Sequence, residues 1–163
     1  LQEALSEWSV NALCHKLLSK AMTIYERERQ PSVLKHAGRY FDKITNGRYI
    51  HVIKKAEGNK LVVETPEGQQ KSVNALSRGT AEQLYLSMRL AFIKEYAGRV
   101  GTLPLIVDDI LVNFDPQRAK TTIRLLNEIS GENQIIMFTC HPNTLDLCKK
   151  EIKDFKEPIM IDA

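Results

Sequence analysis

Leu103-Pro104-Leu105-Ile106-Val107-Asp108-Asp109-Ile110-Leu111-Val112-Asn113-Phe114-Asp115 is the stretch on which the reading of the whole chain turns. Its apolar opening predicts a short, buried β-strand. Two adjacent carboxylates, Asp108 and Asp109, fall where that strand ends. A third, Asp115, stands before Pro116, which can open a helix. Ligands of parallel α/β sheets sit beyond the carboxyl ends of the strands. Two acids side by side would otherwise repel each other. A cation is expected there, and a metal ion carrying a phosphate leads the candidates.

On the carboxy-terminal side, Pro116 opens a helix with Ala119, Ile123, Leu126 and Ile129 at helical spacing, ended by Gly131. A strand over Gln134–Thr139, the loop Cys140-His141, a helix from Pro142 to about Lys149 and a last short strand Ile159–Ile161 follow. On the amino-terminal side, Gly98 and Gly101 separate the acidic strand from a helix over about Gly79–Tyr96. Ala81, Leu84, Tyr85, Met88, Ala91 and Phe92 form one stripe of that helix, and Leu86, Leu90 and Ile93 a second. So broad an apolar surface predicts a largely buried helix. From Gly79 onward helices and strands alternate, which predicts a parallel sheet with right-handed crossovers.

Before Gly79 the pattern changes. Tyr49–Ile53, Lys60–Glu64 and a weaker run near Gln70–Val73 read as strands, with Glu57-Gly58-Asn59 and Pro66-Glu67-Gly68 as turns. That is an antiparallel meander. A helix is expected from Gln2 to about Arg29, with Val10, Leu13, Cys14, Leu17, Leu18, Ala21, Ile24 and Tyr25 as its stripe. It packs on its own domain or forms the root of a coiled coil. Pro31 starts another helix, which ends at Asn46-Gly47.

The chain has 163 residues, 43% of them hydrophobic and 26% charged, which suits one soluble globular domain rather than a disordered or membrane protein. No run reaches the roughly 18 apolar residues of a membrane helix. A net charge of +3 neither demands nor opposes a nucleic-acid partner. Cys14, Cys140 and Cys148 form no disulfide framework and read as reduced thiols of a cytoplasmic protein. Cys140, His141 and Cys148 have no zinc-site spacing. His15, His36 and His51 read as surface or packing residues. With no initiator Met, the chain is expected to be part of a longer protein.

Three loops stand out: Leu76-Ser77-Arg78-Gly79-Thr80, Asp108-Asp109 through Asp115, and Cys140-His141-Pro142. Singly, Ser77 and Asp115 make good helix N-caps, and His141 a cap or core histidine. Together and in this order the loops resemble the second half of an ATP-binding-cassette ATPase. The nearest branch is that of the chromosome-structural-maintenance and double-strand-break-repair ATPases, whose ATPase is split by a long coiled coil. Leu76–Thr80 is similar to the signature loop, Leu105–Asp109 to the Walker B strand, Asn113-Phe114-Asp115 to the D-loop and His141 to the switch histidine. Phe41–Tyr49 also resembles that branch, and Leu-Ser-Arg-Gly-Thr with Asp-Asp looks most like bacterial YhaN-type proteins.

The resemblance implies an α/β fold, the carboxy-terminal half of a P-loop ABC-type ATPase. Residues 1–46 would be a helical coiled-coil root and 47–163 the lobe. It implies ATP and Mg²⁺ as cofactors, with Asp108 toward the metal, and Asp109 and His141 as catalytic residues. Ser77, Arg78, Gly79, Thr80 and Asp115 would reach, in trans, nucleotide held by a second head of a homodimer. It further implies DNA and a nuclease as partners, the nuclease near the first helix, with Lys54, Lys55, Lys60 and Lys71 as candidate phosphate contacts.

Three departures stand against the pattern. Arg78 replaces a glycine, Thr80 a glutamine or acid, and Asp109 a glutamate. None of the 8 glycines begins a Gly-x-x-x-x-Gly-Lys-Ser/Thr loop, so the cradle for the β and γ phosphates is absent from these residues. The Walker A lobe is expected elsewhere, and this chain alone is expected to be inactive. A metal-dependent nuclease or phosphohydrolase built on Asp108, Asp109 and Asp115 is one alternative. A non-catalytic interaction module is another.

Overall fold

The computed structural model describes residues 2–28, 30–56, 58 and 60–160. Helix α1 spans Gln2–Glu28 and α2 spans Ser32–Ile44. The strands β1 (His51–Lys54), β2 (Leu61–Glu64) and β3 (Gln70–Ser72) follow. A 3-10 turn over Val73–Ala75 leads into α3 (Arg78–Ala97). Then come β4 (Leu105–Asp108), α4 (Pro116–Ser130), β5 (Ile135–Phe138) and α5 (Pro142–Glu151). Of the expected elements, Glu57 and Asn59 of the first turn, Arg29 at the end of the first helix, the Tyr25 side chain and Ile161 of the last strand lie outside the described residues.

Helix α2 shows how pattern becomes packing. Its apolar positions recur at helical spacing, and Leu34, Ala37, Phe41 and Ile44 are all buried. Phe41 stacks on Tyr49 with ring centroids 5.3 Å apart, in a core with Leu34, Val52, Val63 and Leu84. Gly38 lets the helix approach β1: a Cβ there would lie 3.2 Å from the Val52 nitrogen. The left-handed Asn46 and Gly47 (φ 52° and 81°) then turn the chain out of the helix. Gln30 fixes the other end. Its amide donates to the Lys54 carbonyl at 3.0 Å and accepts from the Lys54 N–H at 2.9 Å, as a strand neighbour would.

The meander forms as expected, β1-β2-β3, antiparallel throughout, with His51 opposite Glu64 and Val62 opposite Ser72. The parallel pair β4–β5 also forms, running from Leu105 opposite Ile135 to Asp108 opposite Phe138. Helix α4 connects the two strands. Leu125 and Leu126 pack with Ile44 and Leu90, while Ala119 and Ile123 pack with Leu111 and Cys148. Glu151 ties α5 to α4, 2.6 Å from Arg124 and 3.1 Å from Lys120.

Three expectations need correction. Strand β4 is covered on one face only: Val107 is 4% exposed but Ile106 is 65% exposed, and Ile136 and Phe138 of β5 share its exposure. Helix α3 buries Thr80, Gln83, Leu84, Ser87, Leu90 and Ala91, whereas Tyr85 and Phe92 face solvent. Part of its first apolar stripe thus lies uncovered while Leu90 of the second is buried, and the Arg89 guanidinium lies 4.4 Å from the Tyr85 ring centre. Ile159 and Met160 are exposed and form no strand, since no third parallel strand offers them a ladder among the described residues. Among those residues neither amide atom of the fully buried Gln83 finds a hydrogen-bond partner.

Helix α1 presents Leu5, Trp8, Leu13, Leu17 and Leu18 to solvent. No helix among the described residues is long and apolar enough to cross a membrane.

Candidate functional site

The paired ends of β4 and β5 create the site. The ladder continues one residue past β4, with the Asp109 N–H donating to the Phe138 carbonyl at 3.0 Å. Asp109 then turns sharply, with φ of 44°. Aspartate is among the few non-glycine residues that visit this region. A backbone so held costs about 1–3 kcal/mol and persists only where its surroundings fix it.

Those surroundings are the first residues beyond β5. Asp109 Oδ1 accepts from the Thr139 hydroxyl at 2.7 Å and from the Cys140 N–H at 3.3 Å. Oδ2 accepts from the Cys140 thiol at 3.1 Å, and His141 Nε2 lies 4.0 Å from it. Thr139 Oγ1 accepts in turn from the His141 N–H at 3.1 Å. The Thr139 and Cys140 hydrogen bonds hold the Asp109 carboxyl below its ordinary pKa. The same contact raises that of the Cys140 thiol, because the nearby carboxylate opposes a thiolate. Asp109 is therefore an anchored anion, better suited to orienting a water than to taking its proton near neutral pH.

Asp108, at the tip of β4, is exposed. Among the described residues no hydrogen bond or ion pair engages its carboxylate, which leaves a hard oxygen ligand of the kind Mg²⁺ takes. His141 occupies the N-cap position of α5 but its side chain caps nothing, and Pro142 follows as the first helical residue. The imidazole is thus neither a cap nor a core group. It faces Asp109.

The signature-like loop lies at the start of α3. Ser77 is its N-cap, with Oγ accepting from the Thr80 N–H at 3.4 Å and lying 2.9 Å from Thr80 Oγ1. Arg78 is almost fully exposed and reaches Glu82 one turn on, at 3.1 Å. Thr80 is buried. Gly79 lies beside the D-loop-like segment: a Cβ there would come 3.5 Å from the Asn113 carbonyl. Asp115 caps α4, accepting from the Arg118 N–H at 3.0 Å and pairing with the Arg118 side chain at 3.1 Å. Both cap assignments read from the sequence hold.

The strand ends therefore gather Asp108, Asp109 and His141, while Gly79 of the first loop meets Asn113 of the second. Thr139 and Cys140 were not singled out as partners of Asp109. The signal was present in the chain, since two parallel strands in register bring the residues beyond their ends together.

This α/β arrangement has the fold of solved SMC head domains. The uncharacterized protein YhaN of Bacillus subtilis is 29% identical over 147 residues, 90% of this chain and 15% of that protein. The DNA double-strand break repair Rad50 ATPase of Sulfolobus acidocaldarius is 37% identical over 82 residues, 50% of this chain and 9% of that one. A solved structure from work on ATP-driven dimerization and DNA-stimulated activation of SMC ATPases has the same fold, with a TM-score of 0.58 at 17% identity. It covers 72% of this chain and 73% of its own. The chain thus spans a small part of the curated relatives it matches. No protein-family model matches it.

Proposed function

We propose that this chain is half of an ATP-hydrolysing head, active when joined by a lobe carrying a Walker A loop. The observation that carries the reading is the meeting of Asp109 with His141 beyond the ends of a parallel strand pair, with Asp108 exposed at the tip of β4. The similarity to YhaN and to a Rad50 ATPase, and the SMC-type fold, favour a role in chromosome maintenance or DNA repair.

In this reading Asp108 would hold Mg²⁺, which would supply positive charge for phosphoryl transfer. Asp109 orients the attacking water, its carboxylate fixed by Thr139 and Cys140. His141, half-exposed and free of any capping bond, contacts the γ-phosphate. Ser77, Arg78, Gly79 and Thr80 at the amino end of α3 offer a hydroxyl, N–H groups and a guanidinium to nucleotide on a second head. Asp115 approaches the same interface. ATP then forms part of the contact between two heads, and its hydrolysis loosens that contact.

Residues 1–46 and 47–163 divide accordingly into a helical root and a lobe, with α2, from the first segment, built into the lobe's core. The bare apolar positions of α1 suit a coiled-coil root and a docked nuclease. DNA on the meander lysines Lys54, Lys55, Lys60 and Lys71, and a cytoplasmic location, complete the proposal.

The test is reconstitution. The chain alone should show no appreciable ATPase, and adding the Walker A lobe should produce it. In that complex Asp109→Asn should leave ATP binding intact and lower kcat by about 10²-fold or more. Asparagine tolerates the left-handed backbone, so the variant removes charge without refolding the turn. Turnover by the isolated chain, or an unchanged kcat in the variant, would overturn the reading.

A further inference from the structure

We propose that Asp109 Oδ2, Cys140 Sγ and His141 Nε2 form a binding site for a transition-metal dication of the zinc type, distinct from the Mg²⁺ position at Asp108. The three ligand atoms all lie within 4.8 Å of one another, with Oδ2 to Sγ at 3.1 Å and Oδ2 to Nε2 at 4.0 Å. Around tetrahedral zinc, with bonds of about 2.0–2.3 Å, neighbouring ligand atoms stand roughly 3.3–3.6 Å apart. Two of the three separations thus bracket the required edge. The imidazole, whose side chain is 48% exposed, has room to turn and close the third.

The support around the carboxylate has the form of a metal site. Oδ1 is occupied by the Thr139 hydroxyl and the Cys140 N–H, while Oδ2 points at the other two ligands. Such outer hydrogen bonds orient a ligating carboxylate. All three ligands lie just beyond β4 and β5, whose ladder fixes their spacing. The donor set of one thiol, one imidazole and one carboxylate selects zinc over Mg²⁺, which takes oxygen ligands. Three protein ligands leave a fourth position open to water or an anion. On binding, the Sγ–H bond breaks as the Sγ–metal bond forms, and the proton passes to solvent.

A redox switch at Cys140 is the weaker reading. Cys148 is buried, with its sulfur against that of Met137 at 3.8 Å, and is turned to a different neighbour. Occupancy by zinc would remove Asp109 from water positioning and so inhibit turnover. That consequence rests on the ATPase reading; metal binding itself does not.

The experiment is a Co²⁺ titration of the protein followed by absorption, with Zn²⁺ as competitor. Expected are saturation at one equivalent, a thiolate-to-cobalt charge-transfer band, intense visible bands of a four-coordinate ion and full displacement by Zn²⁺ but not by millimolar Mg²⁺. Cys140→Ser should abolish the charge-transfer band, Cys14→Ser should keep it, and His141→Gln should weaken binding about tenfold or more. X-ray absorption of the zinc-loaded unmutated protein should show one sulfur neighbour, a readout that needs no variant to fold. Absence of sulfur coordination, survival of the band in Cys140→Ser, or displacement by Mg²⁺ would sink the proposal. No nucleotide enters these measurements, so a silent metal site and a silent ATPase are told apart.

Discussion

The antiparallel sheet β1–β3 and the parallel pair β4–β5 are both short, and β1, β2, β4 and β5 carry β-branched and apolar residues, yet the two sheets are finished to different degrees. Val52 and Val63 of the meander lie in a core closed by α2 and α3, with Leu34, Phe41, Tyr49 and Leu84 around them. On β4 and β5, Val107 is covered while Ile106, Ile136 and Phe138 are bare. Antiparallel sheets stand well with one wet face, whereas parallel sheets occur almost only with both faces covered. The parallel pair is therefore the less enclosed of the two sheets. It is also the part that carries Asp108, Asp109 and His141.

The contrast can be broken by mutation. The largest effect belongs to the closed half: Phe41→Ala should cost about 3–5 kcal/mol, read by urea unfolding, because it empties a site with no exposure. A loss below ~1 kcal/mol would mean that this core is loosely packed. Next comes Gln83, buried on α3. Gln83→Met should stabilise the chain by about 1–2 kcal/mol, since the two polar atoms of its amide no longer need burial without partners. Destabilisation instead would reveal a hydrogen-bond partner for that amide.

A pH experiment addresses the join between α4 and α5. Arg124 first, and Lys120 with it, hold the Glu151 carboxyl below its ordinary value of 4.5. A carboxyl more acidic in the folded state stabilises the fold above that ordinary value, and the contribution is lost as pH falls through the folded value. Glu151→Gln should therefore flatten the decline of thermal stability on the acid side of pH 4.5. Identical acid profiles would mean that the three charges act as solvated surface groups. The smallest effect belongs to the open face. Ile106→Thr should change the stability of the chain alone by no more than about 0.5 kcal/mol, as for an exposed site. A cost several times larger would show that the face is already covered in solution.

Much of the architecture was legible because proline and glycine punctuate it. Pro31, Asn46-Gly47, Pro116, Gly131 and Pro142 mark helix ends, and the structure respects each of them. Burial was less legible. Periodicity records that Tyr85, Phe92 and Ile106 are apolar, but not whether a neighbour covers them; that depends on the presence of a further layer. The expected strand at Ile159 failed for the same reason, since a short apolar run pairs only where an open edge awaits it.

At the site, Asp108, Asp109 and His141 were identifiable one by one from strand ends and motif order. The contacts of Asp109 with Thr139 and Cys140 were not. They join positions 30 and 31 residues apart and depend on the pairing register of two strands. Cys140 was weighed with Cys148, its neighbour in sequence, whereas in space it faces Asp109.

That register also divides the chain into stretches that do and do not tolerate a change of length. The ladder begins with the Leu105 N–H on the Gln134 carbonyl and runs to the Asp109 N–H on the Phe138 carbonyl. An extra residue in the turn after Gly131 lies outside it and can bulge into solvent. One inserted within Ile135–Phe138 would exchange the covered and bare faces of β5 beyond the insertion and carry Thr139 away from the aspartate it holds. Natural length variants of this lobe should therefore gather around Gly98–Thr102 and Gly131–Asn133, leaving the segment from Gln134 to His141 fixed to the residue.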